Sequence, residues 1–343
     1  MLLLFTVILL LAVILTGLIR RYALNNKVLD IPNHRSSHSV PTPRGGGLAI
    51  VLAFCAATLW LFFNRQLAGT TLALFASTLL VAAIGFCDDH GEVAARWRFF
   101  THLLAAAVAL LLMNGIPLLL IPAPFDAMLG RLTLNPGWLA YPLGILFLVW
   151  TLNLFNFMDG TDGIAASEAL FVSSALAAYL FYIDRSLCTI ALSLAAACGG
   201  FVIWNWPKAK IFMGDVGSGF LGLLLGILIL LAAQQAAVLL YCGLILFGVF
   251  VVDASYTLSY RLFSGQKWYA AHCSHTYQLA AKRYGHLAVL LTCWVINLGW
   301  LLPLSLWIFI HPSHALAGLV LAYLPLIYLA YRFKAGHTEF IVP

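Results

Sequence analysis

Charge is what this chain has least of. Of its 343 residues only 9% are Asp, Glu, Lys or Arg, and acidic side chains number 12. Ordinary soluble domains carry about a quarter of their residues as charges, so a water-exposed globule is excluded. Cysteine offers little either. Cys55, Cys87, Cys188, Cys198, Cys242, Cys273 and Cys293 are scattered, with no paired zinc spacing and no disulfide framework expected. Internal repeats, low-complexity tracts and a polar stretch long enough for a separate soluble domain are absent too. Residues 1–343 therefore read as a single integral membrane domain.

What fills the chain is hydrocarbon. Hydrophobic residues make up 63% and mean hydropathy is +0.98, which predicts an all-α polytopic membrane protein. A bilayer is crossed by roughly 17–25 apolar residues, and about eleven such stretches recur: 2–19, 46–63, 70–86, 99–121, 138–156, 164–182, 187–205, 216–232, 236–258, 287–310 and 314–331. Asn114, Gly115 and Pro117 interrupt the fourth, and only Gln234-Gln235 separates the eighth from the ninth, a spacing that predicts a tight helical hairpin.

The first stretch has no basic residues before it and no small-residue cleavage site; Arg20-Arg21 follow it. It reads as a retained span with its N-terminus outside. Alternate loops divide the basic residues fifteen to three, with Arg65, Arg131 and Arg185 alone on the poorer side and Arg35 among those on the richer side. That asymmetry marks the richer side as cytoplasmic. The net charge of +6 follows from this topology and from attraction to anionic headgroups; no nucleic-acid partner is implied.

Five of the 12 acidic residues gather in three places, each at the end of an apolar stretch on the cytoplasmic side: Asp88-Asp89; the run from Asn153 through Asn156 and Asp159 to Asp162-Gly163; and Phe212-Met213-Gly214-Asp215 followed by Ser218-Gly219. Carboxylates beside hydrocarbon are costly and are functional by default. Asp88-Asp89 ends a helix, where negative charge opposes the dipole, so an ordinary helix end has no stabilising rationale. Asn153, Asn156, Asp159 and Asp162 lie three apart, a row that winds about 180° along a helix. Gly160 and Gly163 are expected to loosen that helix and let the four converge. Hard oxygen ligands of this kind suit Mg²⁺ shared with phosphates, whereas capping would need only one of them. Asp215 opens the eighth stretch, either as a plain N-cap or beside an anion site at the helix N-terminus.

Arg44 precedes Gly45-Gly46-Gly47, whose amides could approach phosphate, although glycines also serve close helix packing. Arg96 and Arg98 follow the aspartate pair as phosphate partners or interfacial anchors. Lys208 and Lys210, beside Trp204 and Trp206, read as anchors. His272 and His275 fall in a long cytoplasmic loop, 259–286. They lack an obvious third metal ligand, so hydrogen bonding to substrate phosphate is the better reading. Asp253 is either a buried polar contact or a support for the site.

In order, then, come Pro41-Thr42-Pro43-Arg44-Gly45-Gly46-Gly47, Asp88-Asp89, Asn-x-x-Asn-x-x-Asp-Gly-x-Asp-Gly at 153–163, Phe-x-Gly-Asp at 212–215, and His-Cys-Ser-His at 272–275. This series resembles the polyprenyl-phosphate N-acetylhexosamine-1-phosphate transferase superfamily from about residue 30 to 285, and the histidine loop looks most like the O-antigen-initiating branch. The resemblance implies a bacterial inner-membrane enzyme. It would transfer an N-acetylhexosamine 1-phosphate from a UDP-sugar to undecaprenyl phosphate and release UMP, with Mg²⁺ as cofactor and Mn²⁺ able to substitute. By the same resemblance Asn156 and Asp215 hold the metal; Asp88 and Asp89 face the lipid phosphate, with Asp88 taking its proton; Asp159 organises metal and diphosphate; Asp162 and Phe212 meet the uracil; and His272 and His275 lie near the diphosphate and sugar. Arg44 and Asn153 complete the expected substrate contacts. A homodimer is plausible by analogy alone. Two departures stand out: Asp89-His90-Gly91-Glu92 lacks the lysine that relatives often carry there, and Ser274 interrupts the histidine motif.

Two other classes use membrane carboxylates. A cation-coupled transporter favours midplane sites in repeated halves, and an Mg-dependent prenyltransferase is expected to pair two Asp-rich repeats. Acids at one membrane face, without a repeat, fit both less well.

Overall fold

The computed structural model describes residues 1–32, 40–130, 133–267, 270 and 272–337; Arg35 and Arg131 lie outside them. Among the described residues the chain is built of helices. The first half contains α1 (Leu2–Asn25), α2 (Leu48–Phe63), α3 (Gly69–Ala76), α4 (Thr78–His90), α5 (Ala95–Met113), the short α6 (Phe125–Leu129), α7 (Ala140–Met158) and α8 (Ile164–Leu180). The second contains α9 (Arg185–Asn205), α10 (Asp215–Gln235), α11 (Val238–Leu246), α12 (Gly248–Phe263), α13 (Thr276–Tyr284), α14 (His286–Ile296), α15 (Leu302–Ile310) and α16 (Ala315–Arg332). Two antiparallel ribbons, β1 (Leu29–Asp30) with β2 (Thr42–Pro43) and β3 (Leu119–Leu120) with β4 (Thr133–Leu134), tie down connecting segments.

Each of the eleven expected apolar stretches falls on helix. Among the described residues eight helices, with α3 and α4 taken as one and α14 and α15 as another, are long and apolar enough to cross a bilayer, nine if the bent α11–α12 pair is one span; α2 and α8 are shorter at 16 and 17 residues. The protein is an all-α membrane protein. Three boundaries differ from expectation. The fourth stretch stops at Met113 rather than running to 121, because Asn114 and Gly115 turn into the left-handed region. The ninth is broken at Phe247, where α11 and α12 meet at 73°. The loop expected over 259–286 is partly helical, since α12 continues to Phe263 and α13 begins at Thr276.

Helix α10 is the axis of the bundle. Of its most apolar 18-residue window 94% is buried, against 17% for α1 and 28% for the window spanning α16. It packs on α7, α4, α11 and α8, and also touches α2, α9 and α5. In hydrocarbon no solvent-driven collapse presses helices together, so close backbone approach through small residues does that work. A Cβ at Gly222 would stand 2.6 Å from Leu152 Cα, one at Gly219 2.8 Å from Val81 Cγ1, and one at Gly217 2.7 Å from Gly47 Cα. Helix α10 is therefore stripped of side chains at the points where α7, α4 and the start of α2 close on it.

Further out, Glu168 of α8 is buried and accepts a hydrogen bond from Asn297 Nδ2 at 2.6 Å. Asn297 opens a π-helical turn, Asn297–Leu301, between α14 and α15. The pair ties the inner bundle to its outer layer, as membrane-buried polar residues do when they face one another.

Gly222→Ala forces a methyl group against helix backbone and is expected to cost about 1–3 kcal/mol, read as a lower thermal midpoint in detergent. Gly299→Ala, where a Cβ meets nothing within 4 Å, should leave the midpoint unchanged or raise it.

Candidate active site

The chemistry gathers where the C-terminal ends of α4 and α7 meet the N-terminus of α10. Asp89, the last acid of α4 and only 4% exposed, accepts backbone hydrogen bonds from Asp215 N at 3.1 Å and Val216 N at 3.2 Å. It caps α10 from another helix, satisfying donors that a helix N-terminus leaves open. The anion site expected at that terminus is thus occupied by the protein's own carboxylate. Gly214 is what permits it: its φ is +76° and a Cβ there would stand 2.7 Å from Asp89 Oδ1.

Asp88 points elsewhere. Its Oδ1 accepts from Val93 N at 2.9 Å and its Oδ2 from Arg98 Nη1 at 2.9 Å. The same Nη1 lies 2.9 Å from Asp215 Oδ2, so one guanidinium nitrogen joins the two carboxylates. Arg98 therefore belongs to the site, whereas Arg96 lies over the Trp97 ring at 5.6 Å, an interfacial arrangement. Lys210 sits likewise over Trp204. Arg44 reaches the carbonyl oxygens of Asp89 at 2.9 Å and Asp88 at 3.3 Å, offsetting the negative end of α4.

The glycine run after Arg44 serves packing more than phosphate. Gly46 N and Gly47 N donate to Phe212 O and Met213 O at 2.9 and 2.8 Å, and Phe212 N donates to Pro43 O at 2.8 Å. Residues 43–47 and 212–213 thus run together as a backbone clasp, which fixes Phe212 and delivers Asp215 to Asp89.

The central run behaves differently along its length. Helix α7 stays intact to Met158 rather than loosening earlier, so Asn153 and Asn156 are helical while Asp159 and Asp162 lie in the turn beyond. Asn156 Nδ2 donates to Asp215 Oδ1 at 3.0 Å and to Ser218 Oγ at 3.1 Å. Asn153 instead folds back onto Val149 O at 2.7 Å, so the expected convergence of all four narrows to three. Burial pushes the Asp159 carboxyl well above the usual range, reinforced by Asp215, Asp89 and Asp162. Asp162 Oδ2 accepts from Ala209 N at 3.1 Å and lies 3.3 Å from His286 Nδ1.

The histidine segment is anchored by Asp253. Its Oδ1 accepts from Thr276 N and its Oδ2 from Tyr277 N, both at 2.9 Å, with His275 Nδ1 at 3.3 Å from Oδ1. Asp253 is therefore the support for His275 and for the start of α13. His272 stacks on His275 with ring centroids 4.9 Å apart. Burial first, then His275 and Arg261, hold the His272 imidazole down to about 4. It is neutral at physiological pH, suited to hydrogen bonding rather than to charge pairing. Tyr277 Oη donates to Phe157 O at 2.8 Å, joining this segment to the turn that carries Asp159.

Five carboxylates (Asp88, Asp89, Asp159, Asp162 and Asp215) thus share one end of the bundle with two guanidinium groups, Arg44 and Arg98. Among the described residues no three His, Cys, Asp or Glu side chains are disposed as a ready metal cage. The residues nevertheless fit Mg²⁺, which is commonly bound through one or two carboxylates and completed by water and substrate phosphates. Asp215 and Asn156 supply such oxygens, and the surplus of negative charge favours a divalent cation.

Residues 71–233 match the model of glycosyl transferase family 4. The chain is 30% identical over 300 residues, 85% of its own length and 81% of the relative's, to a probable undecaprenyl-phosphate N-acetylglucosaminyl 1-phosphate transferase of Bacillus subtilis. The chain belongs to glycosyl transferase family 4. Other relatives include a phospho-N-acetylmuramoyl-pentapeptide-transferase of Chlamydia trachomatis, 31% identical over 71% of this chain and 76% of that one. A decaprenyl-phosphate N-acetylglucosaminephosphotransferase of Mycolicibacterium smegmatis is 32% identical over 62% of this chain and 55% of its own length. The matched region of this family-4 chain carries Asp88, Asp89, Asn156, Asp159, Asp162, Phe212 and Asp215.

Two participants carried no usable signal in the sequence. His286 is a lone histidine at the edge of an apolar stretch, and Asn205, whose Oδ1 accepts from Gly163 N at 2.9 Å, ends another.

Asp159→Asn should raise thermal stability. The folded carboxyl keeps its proton above the pH, about 4, at which an unfolded aspartate releases it. The destabilisation from the wild-type carboxyl therefore starts there and grows with pH until the folded group ionises. In metal-free buffer the variant's gain in thermal midpoint should be wider at pH 8 than at pH 5.

Proposed function

We propose that this protein transfers an N-acetylhexosamine 1-phosphate from a UDP-sugar to undecaprenyl phosphate, leaving polyprenyl-diphosphate-sugar in the membrane and releasing UMP. The observation that carries this reading is the meeting of Asp88, Asp215 and Asn156 within hydrogen-bonding reach of shared partners, beside Asp159, at one end of an apolar bundle. The activities named for the bacterial relatives support the same chemistry. An oxygen of the lipid phosphate attacks the β-phosphorus, a new P–O bond forms, and the bridging bond to the α-phosphate breaks.

Each residue has a task in this scheme. Asp88, which is less enclosed than Asp89, takes the proton of the lipid phosphate. Asp89 holds Asp215 in place through the start of α10. Arg98, between Asp88 and Asp215, is a cation for the substrate phosphates, in the role that a lysine fills in relatives. Asp162 and Phe212 receive the uracil, and His272 and His275 the diphosphate and sugar. Asn156 and Asp215 would hold Mg²⁺, or Mn²⁺ in its stead, which when bound offsets charge on the diphosphate and leaving UMP.

Apolar hollows suited to a prenyl chain open along α12, the helix that carries Asp253. One of about 340 Å³ lies between Trp150 of α7 and Leu258 and Leu262 of α12. Another of about 440 Å³ runs among Val252, Tyr277, Val289 and Leu326 and reaches Asp253. The excess of basic residues on the loops of this side supports a cytoplasmic-facing site in a bacterial inner membrane. The histidine segment supports initiation of O-antigen or a related envelope glycan as the pathway role.

Purified protein given undecaprenyl phosphate, Mg²⁺ and a panel of UDP-N-acetylhexosamines should release UMP with at least one donor. Release should require both lipid and metal and fall at least about 100-fold in Asp215→Ala, the scale of losing a charge-stabilising group in the transition state. Absence of release with every donor, from folded protein, would overturn the reading.

A further inference from the structure

Asp162 sits in the turn after α7, outside regular structure, yet a residue that reads a base must hold its carboxylate still. Its Oδ2 has two partners. Ala209 N approaches from one side at 3.1 Å, and the imidazole of His286 from the other, with Nδ1 3.3 Å from Oδ2. The same Nδ1 is 3.4 Å from the backbone nitrogen of Asp162. Whichever tautomer the ring adopts, donor to the carboxylate or acceptor from the amide, it is tied to residue 162. The side chains are largely enclosed, 15% exposed for His286 and 12% for Asp162, so water competes weakly for these bonds.

The surroundings make His286 a fixed support. It is the first residue of α14, placed by Gly285 at φ +83° as the chain turns out of α13. One turn on, Leu290 packs against the same turn after α7: a Cβ at Gly163 would meet Leu290 Cδ2 at 3.0 Å. Gly163 N is itself held by Asn205. With the proton on Nδ1 both named partners engage Oδ2 and neither engages Oδ1, the oxygen left for a ligand.

We infer that His286 is a positioning residue for donor recognition: it orients Asp162 so that Oδ1 can accept from the N–H of the uracil ring. This rests on the proposed function, in which Asp162 meets the base. His286 does not touch the reacting phosphates, so its loss acts on donor binding and spares the chemical step. Losing a charge-assisted hydrogen bond that orients a recognition group corresponds to roughly a ten-fold weakening.

Steady-state kinetics of the purified full-length protein test this, with the donor that turns over and undecaprenyl phosphate varied separately. His286→Ala should raise KM for the UDP-sugar about ten-fold, leaving kcat and the KM for undecaprenyl phosphate within about two-fold, the pattern of lost uniform binding. His286→Asn places an amide where Nδ1 stood, offering either a donor or an acceptor, and should restore the donor KM. Asp162→Asn, in parallel, should raise the donor KM at least as much. A normal donor KM in His286→Ala beside a raised one in Asp162→Asn overturns the role of His286 while leaving the base contact standing. A normal donor KM in both overturns the base contact and the inference with it. A fall in kcat with both KM values altered and a lowered thermal midpoint, not rescued by Asn, marks His286 as structural and also overturns the inference. A wild-type protein that releases no UMP at all separates failure of the proposed reaction from each of these.

Discussion

Mutual repulsion among five carboxylates, placed where helices leave hydrocarbon, is the constraint around which this end of the molecule is organised. The opposing charge comes largely from the backbone. Asp89 takes two amides of α10, Asp88 takes Val93 N, Asp162 takes Ala209 N, and Asp253 takes two amides of α13. Side-chain cations are fewer: Arg98 joins Asp88 to Asp215, and Arg44 neutralises the carbonyl end of α4. Fixed dipoles of this sort are already oriented when a charged substrate arrives, which is the condition for effective electrostatic stabilisation.

The same economy explains the roles of the acids. An acid whose oxygens accept from backbone amides, such as Asp89 or Asp253, holds the start of another helix in place. An acid left short of donors and pressed by its neighbours, such as Asp159, is held in a state unfavourable to folding, which is the usual signature of a group retained for function. Glu168, deep in the bundle and away from the site, fits neither description: one oxygen accepts from the Asn297 side chain and the other is buried without a partner.

Much of this was legible in the sequence. Scarce charge makes every acid conspicuous, so Asp88, Asp89, Asn156, Asp159, Asp162 and Asp215 stood out without any structure, and long apolar runs marked the helices that carry them. What stayed hidden depends on contacts between distant segments. The sequence offered Gly45–Gly47 as a phosphate cradle; the structure commits Gly46 and Gly47 to a backbone clasp with residues 212–213, partners far along the chain that no local pattern announces. Asn153 shares its spacing with Asn156, yet a single bond back to Val149 removes it from the group. His286 acquires meaning only through a partner more than a hundred residues away, and Arg98 joins its near neighbour Asp88 to the equally distant Asp215. The break at Phe247 was equally silent, because a bend between two apolar helices leaves hydropathy unchanged.

The capping of α10 by Asp89 has a bearing on how the protein is made. The two partners are 126 positions apart, and five helices, α5 to α9, are synthesised between them. Until α10 emerges, Asp89 lacks its two amides and Arg98 has only half of its bridge. The site is therefore assembled by insertion of the tenth helix rather than by folding of any earlier segment. Translation must proceed well past the middle of the chain before the acidic residues acquire their final partners, and Tyr277 of the histidine segment reaches the end of α7 later still.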